Sequence, residues 1–205
     1  MRLVSKITIC AAFILGHASV GLAEGDQKNR EGKHAYAAYE VIGLTMMPVG
    51  GLRLGYFINP NLVAEVSYLT GSAKIGSYES KKALMEAKAK YFLGETFYVD
   101  GGLAHESWDV KYSVLKSGTL LETSSLSGKV ANTGIDLHIG NQWQWDGFTL
   151  GCDWAGYFLN LSTSTSYGSG SGLDEEDQKS EEAKVKKSLG GSSAHLLRFY
   201  IGWSF

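Results

Sequence analysis

The chain has 205 residues, with 19 Lys and Arg against 21 Asp and Glu and a formal charge of −2. That balance excludes the basic footprint of a nucleic-acid-binding protein. Twenty-six glycines, two prolines and 12% aromatic residues point to β structure with many turns.

In chain order, Arg2 and Lys6 precede an apolar run from Ile7 to Leu15, and small residues follow to Gly21-Leu22-Ala23. This reads as a secretory signal peptide over residues 1–23, cleaved after Ala23; the run is too short to span a bilayer, which needs about 20 apolar residues. Cys10 lies inside the apolar run rather than at a lipoprotein cleavage box, so it leaves with the signal. Cys152 then stands alone, and the mature chain forms no intramolecular disulfide. Loss of Arg2 and Lys6 moves the charge to −4. Residues 24–205 read as one domain.

Eight strand-like segments follow, at 35–46, 51–58, 62–71, 83–93, 97–112, 128–143, 148–161 and 193–205, each bounded by turn residues. The connections alternate: Asn59-Pro60-Asn61, Gly94-Glu95-Thr96 and Gln144 to Gly147 read as tight turns, whereas Ser72 to Lys82, Ser113 to Ser127 and Ser162 to Ser192 read as long polar loops. The connection at Met47-Pro48-Val49-Gly50 is the short exception, and Glu181 to Lys187 has the makings of a short helix within the last loop.

Side chains of a strand alternate faces. One parity is apolar: Leu52, Leu54, Tyr56; Leu62 to Tyr68; Met85 to Leu93; Phe97 to Leu103; Ile135 to Ile139; Leu150, Cys152, Trp154, Gly156, Phe158; and Leu197, Phe199, Ile201, Trp203, Phe205. The other parity carries Glu40, Arg53, Glu65, Glu86, Lys88, Lys90, Asp100, Glu106, Asp136, Asp153 and Arg198, with His138 among them. A basic side chain facing lipid near the bilayer centre costs about 2 to 4 kcal/mol, so these charges are expected in a lumen, paired with one another. Eight strands enclose a space that side chains fill, which predicts a plugged barrel. Aromatic residues beside the tight turns, including Tyr56, Phe57, Tyr91, Phe92, Phe97, Trp143, Trp145 and Phe148, fit an interfacial girdle.

The Phe199, Ile201, Trp203, Phe205 ending and the Tyr-Phe-Ile-Asn-Pro-Asn turn at 56–61 resemble the small eight-stranded outer-membrane barrels, the group containing the transmembrane domain of outer-membrane protein A. The resemblance covers essentially the whole mature chain. It implies an all-β, antiparallel, up-and-down transmembrane barrel in the bacterial outer membrane, with the terminal row Phe199, Ile201, Trp203 and Phe205 as its insertion signal. It also implies contact with outer-membrane lipid and lipopolysaccharide, with the barrel-assembly machinery, and with a cell-surface ligand. The group contains adhesins, envelope-stabilising proteins, narrow channels and a few lipid-modifying enzymes, and fold does not choose among them. A secreted lipocalin-like calyx with its apolar face inward is the alternative architecture.

No cofactor is indicated. His34, His105, His138 and His195 are scattered without a metal-ligand spacing. Asp174 to Asp177 lack the alternation and glycine of a calcium loop. A lipid-facing His105-x-Ser107 pair is similar to the dyad of outer-membrane lipid A deacylases. It departs from that pattern: Trp108 stands where an Asn is expected after the Ser, the pair lies in a different strand, and no orienting acid is evident beyond the distant Glu122. The expectation is a non-catalytic protein acting through external loops in surface interaction or envelope structure, with a narrow channel as the alternative.

Overall fold

The structure, a computed structural model, describes residues 26–42, 49–75, 78–115, 123–168 and 175–205. The signal segment at 1–23, residues 43–46 of the expected first strand, Met47 and Pro48 of the first external connection, and 116–122 and 169–174 of the later loops lie outside the described residues. A short helix, α1 (Asp26–Arg30), precedes eight strands: β1 (Ala35–Ile42), β2 (Val49–Asn59), β3 (Leu62–Ile75), β4 (Tyr78–Phe92), β5 (Phe97–Leu115), β6 (Thr123–Trp145), β7 (Phe148–Gly168) and β8 (Ser193–Ser204). A second helix, α2 (Glu175–Leu189), lies between β7 and β8.

Each strand pairs antiparallel with its sequence neighbours, and β8 returns to β1 to close an up-and-down barrel. Closure leaves no open sheet edge. The closing seam runs to the last residue: Phe205 accepts from the N–H groups of His34 and Ala35 and donates to the Ala35 carbonyl.

The three tight turns lie at one end. Asn61 donates its N–H to Asn59 Oδ1 at 2.9 Å, and Asp146 takes a left-handed φ of 53°, which a short polar side chain tolerates. At the opposite end the strands run further than the hydrophobic pattern reached. Residues 72–75 and 78–82, expected in a loop, are strand, as are 113–115, 123–127 and 162–168. Val49 and Gly50 belong to β2 rather than to a connection. The expected short helix is the 15-residue α2.

The facing pattern holds along β1 to β6, with a correction in β7 and β8. Ala155 pairs with Ile139 and Asp153 with Gly140, so Trp154 is an extra residue against β6. One added residue reverses the faces beyond it, until a second at Leu161, between Asn160 opposite Gly134 and Ser162 opposite Thr133, restores them. Phe158 therefore points inward at 2% exposure while Tyr157 and Leu159 point outward, and Gly156 packs beneath the His138 ring. Leu197 lies opposite Trp154 outside the ladder with φ 57°. It therefore drops out of the outward row, and Leu196 takes that place. Phe57 and Phe92 are also buried in the barrel rather than in a girdle.

The interior is stacked in layers. Tyr36, Ala38, Phe57, Val63, Phe92, Tyr98 and Tyr200 form an apolar and aromatic layer near the tight turns. Ile42, Val49, Leu69, Leu84, Ala104 and Phe158 form another toward the long-loop end. The lower layer fits because inward glycines lie under tyrosine rings: a Cβ on Gly151 would approach Tyr200 to 1.9 Å, and one on Gly55 would approach Tyr36 to 2.1 Å. Large and small inward residues thus alternate around a narrow barrel. Gly151→Ala is expected to displace the Tyr200 ring and destabilise the barrel by about 1 to 3 kcal/mol, read from equilibrium urea unfolding in lipid vesicles.

Candidate functional site

Between the two apolar layers lies a layer of charge. Glu40, Arg53, Glu65, Glu86, Lys88, Lys90, Asp100, Asp136, Asp153 and Arg198 are all 5% exposed or less, and Glu106 is as deeply buried nearer the long loops. Their positions follow from alternation: each sits on the inward parity of its strand, and the pairing register brings strands distant in sequence onto one level.

Arg198 on β8 is the hub. Its Nε donates to Glu40 Oε1 at 2.8 Å, and Nη1 and Nη2 donate to the two oxygens of Glu86 at 2.8 and 2.7 Å. The fork of the guanidinium thus bridges β1 and β4 across the barrel, a geometry a lysine cannot reproduce. Arg53 on β2 makes the companion contacts, donating Nε and Nη2 to Glu40 at 2.8 Å and Nη2 to Asp153 on β7 at 2.8 Å. Its guanidinium also lies 4.2 Å from the Tyr200 ring centroid.

His138 extends the network. Arg198 Nη1 lies 3.0 Å from His138 Nε2. Because arginine only donates, Nε2 accepts and the proton sits on Nδ1, which donates to Asp100 at 2.9 Å. Lys88 lies between Glu86 and Asp100, 3.5 and 3.6 Å from them. Lower down, Lys90 Nζ is 2.5 Å from Glu65 and donates to Tyr200 at 2.9 Å and Gln142 at 3.1 Å. Tyr36 and Tyr98 donate their hydroxyls to Glu65 and Asp153.

Alternation sorts the charged residues from the sequence, and Tyr200 with Arg198; the other neutral partners are additions of the structure. Tyr36, Tyr98, Tyr200, Gln142 and Ser67 share the inward parity, so the same alternation identifies them. Lys82 was hidden by its place in an expected loop. It lies 2.5 Å from Glu106 and over the Trp108 ring, while Trp108 donates to Glu106.

The tight-turn end is covered by α1, which no periodicity announces. Arg30 is 1% exposed; it donates Nε to the Pro60 carbonyl at 2.8 Å and Nη1 to the Glu95 carbonyl at 2.6 Å, and stacks 3.9 Å over Phe92. Asn29 donates to the Gln144 carbonyl. One five-residue helix thereby grips all three tight turns. Burial raises the Asp26 carboxyl to about 6, against the opposing pull of the Gln144 N–H and the Arg30 charge. The Arg30 guanidinium is lowered, again mainly by burial.

On the outer wall, His105 Nδ1 lies 2.9 Å from Thr133 Oγ1 on the neighbouring strand. Two buried carboxylate and histidine groupings, Glu86/Asp136/His138 and Asp100/His138/Asp153, have donor atoms close enough to share a cation. Arg198, Arg53 and Lys88 already supply the positive charge there. The four terminal aromatic and aliphatic side chains Phe199, Ile201, Trp203 and Phe205 are outward and 46 to 63% exposed.

No protein-family model and no curated protein matches the chain. Solved structures with a similar backbone include CarO2 of Acinetobacter baumannii, 14% identical over 84% of this chain and 99% of that one, with a TM-score of 0.48. The N-terminal β-barrel domain of Pseudomonas aeruginosa OprF is likewise 14% identical over 84% and 99%, at 0.45. Acinetobacter baumannii CarO is 13% identical over 83% and 96%, at 0.48. No residue role transfers at these identities. The strand pairing itself establishes the eight-stranded, antiparallel, up-and-down barrel that the sequence resemblance implied.

Two outcomes follow from this geometry. Arg198→Leu leaves Glu40 and Glu86 without their shared cation and is expected to destabilise the barrel by about 3 to 5 kcal/mol in urea unfolding; exposed Lys28→Ala is expected to change it by less than about 0.5 kcal/mol. For α1, a carboxyl raised to about 6 in the docked state favours docking while protonated. Docking is therefore strongest below pH about 4 and weakens as pH rises through about 6. The groups facing Asp26 are Arg30 and Glu95. Amide hydrogen exchange of residues 26–31, corrected for its intrinsic pH dependence, is expected to show this rise in opening, and Asp26→Asn to flatten it.

Proposed function

We propose that the protein is an integral barrel of the bacterial outer membrane with a closed lumen, serving envelope structure or surface interaction through its long-loop end. The observation that carries this reading is the inversion of polarity: the interior is charged while the wall is apolar. Leu52, Leu54, Val66, Met85, Leu103, Leu137, Ile201 and Trp203 are 49 to 63% exposed. A soluble calyx keeps its apolar residues inside, so the polarity opposes that architecture.

The height of the band supports the same reading. On β4 the outward row runs from Tyr91 to Lys81 with Ala89, Ala87, Met85 and Ala83 between. Ten residues at about 3.3 Å each and a tilt of about 40° give roughly 25 Å, the height of an outer-membrane apolar band. The tight-turn end, with α1 and the chain terminus, is then periplasmic. The segment before α1 serves as the cleaved signal, and the outward row ending in Phe205 is the feature offered to the barrel-assembly machinery.

Filled layers support closure of the lumen. A gated path for small solutes would have to part the Arg198 and Arg53 ion pairs and the Phe158 and Tyr200 layers together. The protein inserted in planar bilayers is expected to show no conductance steps above the protein-free baseline; stable porin-sized steps would contradict the closed-lumen reading.

A further inference from the structure

We infer that the outer wall over β3 to β6 is a docking site for a phosphorylated, multiply acylated glycolipid of the outer leaflet. The inference rests on the membrane reading above and deepens it by giving the lipid contact a place.

Among the described strand residues, outward charge is confined to one sector: Lys74, Glu79, Lys81, Asp109, Lys111 and Lys129. The pairing register sets Lys81 beside Asp109 and Asp109 beside Lys129, with Lys111 one level above beside Glu79. Glu79, Lys81, Asp109, Lys111 and Lys129 line a recess of about 320 Å³. The same rows on β7 carry no charge: Ser164 and Ser166 occupy the corresponding places. Lysines in this sector outnumber acids by two, which complements an anionic headgroup and not a zwitterionic one.

Below the lysines the wall changes character in the order a lipid would require. Ala83 and Ser107, then His105 and Thr133, supply small and hydrogen-bonding side chains. Beneath them opens an apolar groove of about 530 Å³ walled by Leu54, Val66, Met85 and Leu103 with Ala87 at its floor. From Leu103 to Asp109 is six residues, about 20 Å along the strand and roughly 15 Å of depth at a 40° tilt. Acyl chains therefore fit the groove, ester carbonyls the His105, Thr133 and Ser107 level, and phosphates the Lys81, Lys111 and Lys129 level. The sector thus provides a use for His105 and Ser107 that needs no catalytic dyad.

The test is native mass spectrometry of the full mature chain, inserted in lipid nanodiscs and shown to be folded by heat-modifiable migration. Bisphosphorylated lipid A and the same lipid stripped of its phosphates are the two probes. The wild type is expected to retain the bisphosphorylated form at least about tenfold better, and the Lys81→Gln/Lys111→Gln/Lys129→Gln variant to reduce that ratio below about twofold. A Lys28→Gln/Lys33→Gln control at the other end is expected to leave it unchanged. Ala87→Phe, which fills the groove, is expected to lower retention of both forms. Insertion with equal retention of the two lipids, or a lysine variant indistinguishable from wild type, overturns the site alone. Failure to insert overturns the membrane reading and the site with it.

Discussion

The structure depends on the Arg198 guanidinium being held between the Glu40 and Glu86 carboxylates. A buried ion without partners is penalised by several kcal/mol, so charges inside a narrow barrel are tolerable only as a connected set. Arg198 joins β8 to β1 and β4, while Arg53 joins β2 to β1 and β7. The two arginines share Glu40, and so the network crosses the seam where the last strand meets the first. Closure of the barrel and pairing of the charges are therefore one event: an open sheet would part Arg198 from Glu40 and Glu86, and Arg53 from Asp153.

Layers on either side keep that set dry. Tyr200, Tyr98 and Tyr36 have aromatic bodies for the lower layer and hydroxyls for the charges, which suits them to the boundary between the two. Glycines on the facing strands make room for the rings. Phe158 reaches the upper layer because the Trp154 bulge turns β7 by one residue. With polarity drawn inward, the outer wall is free to be apolar, and among the described strand residues the outward charges gather above it around Lys81, Lys111 and Lys129.

Much of this was legible because period-2 alternation is a strong signal where one face is uniformly apolar. Glu86, Lys88 and Lys90 in one strand, and Asp100 and Glu106 in the next, announced their common side without any knowledge of pairing. The pattern fails at particular places for identifiable reasons. Trp154 and Leu197 have no sequence signature as irregularities, because the apolar parity reads on through Phe158 as smoothly as it would without a bulge. In 72–75 the polar Ser72 and Lys74 fall on the lipid-facing parity and Ala73 on the lumenal one, the reverse of the pattern lower in the strand, and 123–127 and 162–168 are almost wholly polar, so an apolar outer row does not announce these segments even though the ladders continue. The α1 helix is short and polar throughout, and its position comes from contacts to Pro60, Glu95 and Gln144, at sequence separations of 30 to 118 residues.

We propose that the charge layer is sealed from water inside a lipid-embedded barrel. The most direct measurement is arginine side-chain NMR in lipid nanodiscs, following the Nε–H signals of Arg53 and Arg198 after transfer to heavy water. Both protons are donated to the buried Glu40 carboxylate, so both signals are expected to persist for hours while those of an exposed arginine vanish at once. Loss of the Arg53 and Arg198 signals within seconds, in a barrel that is otherwise folded, would contradict it.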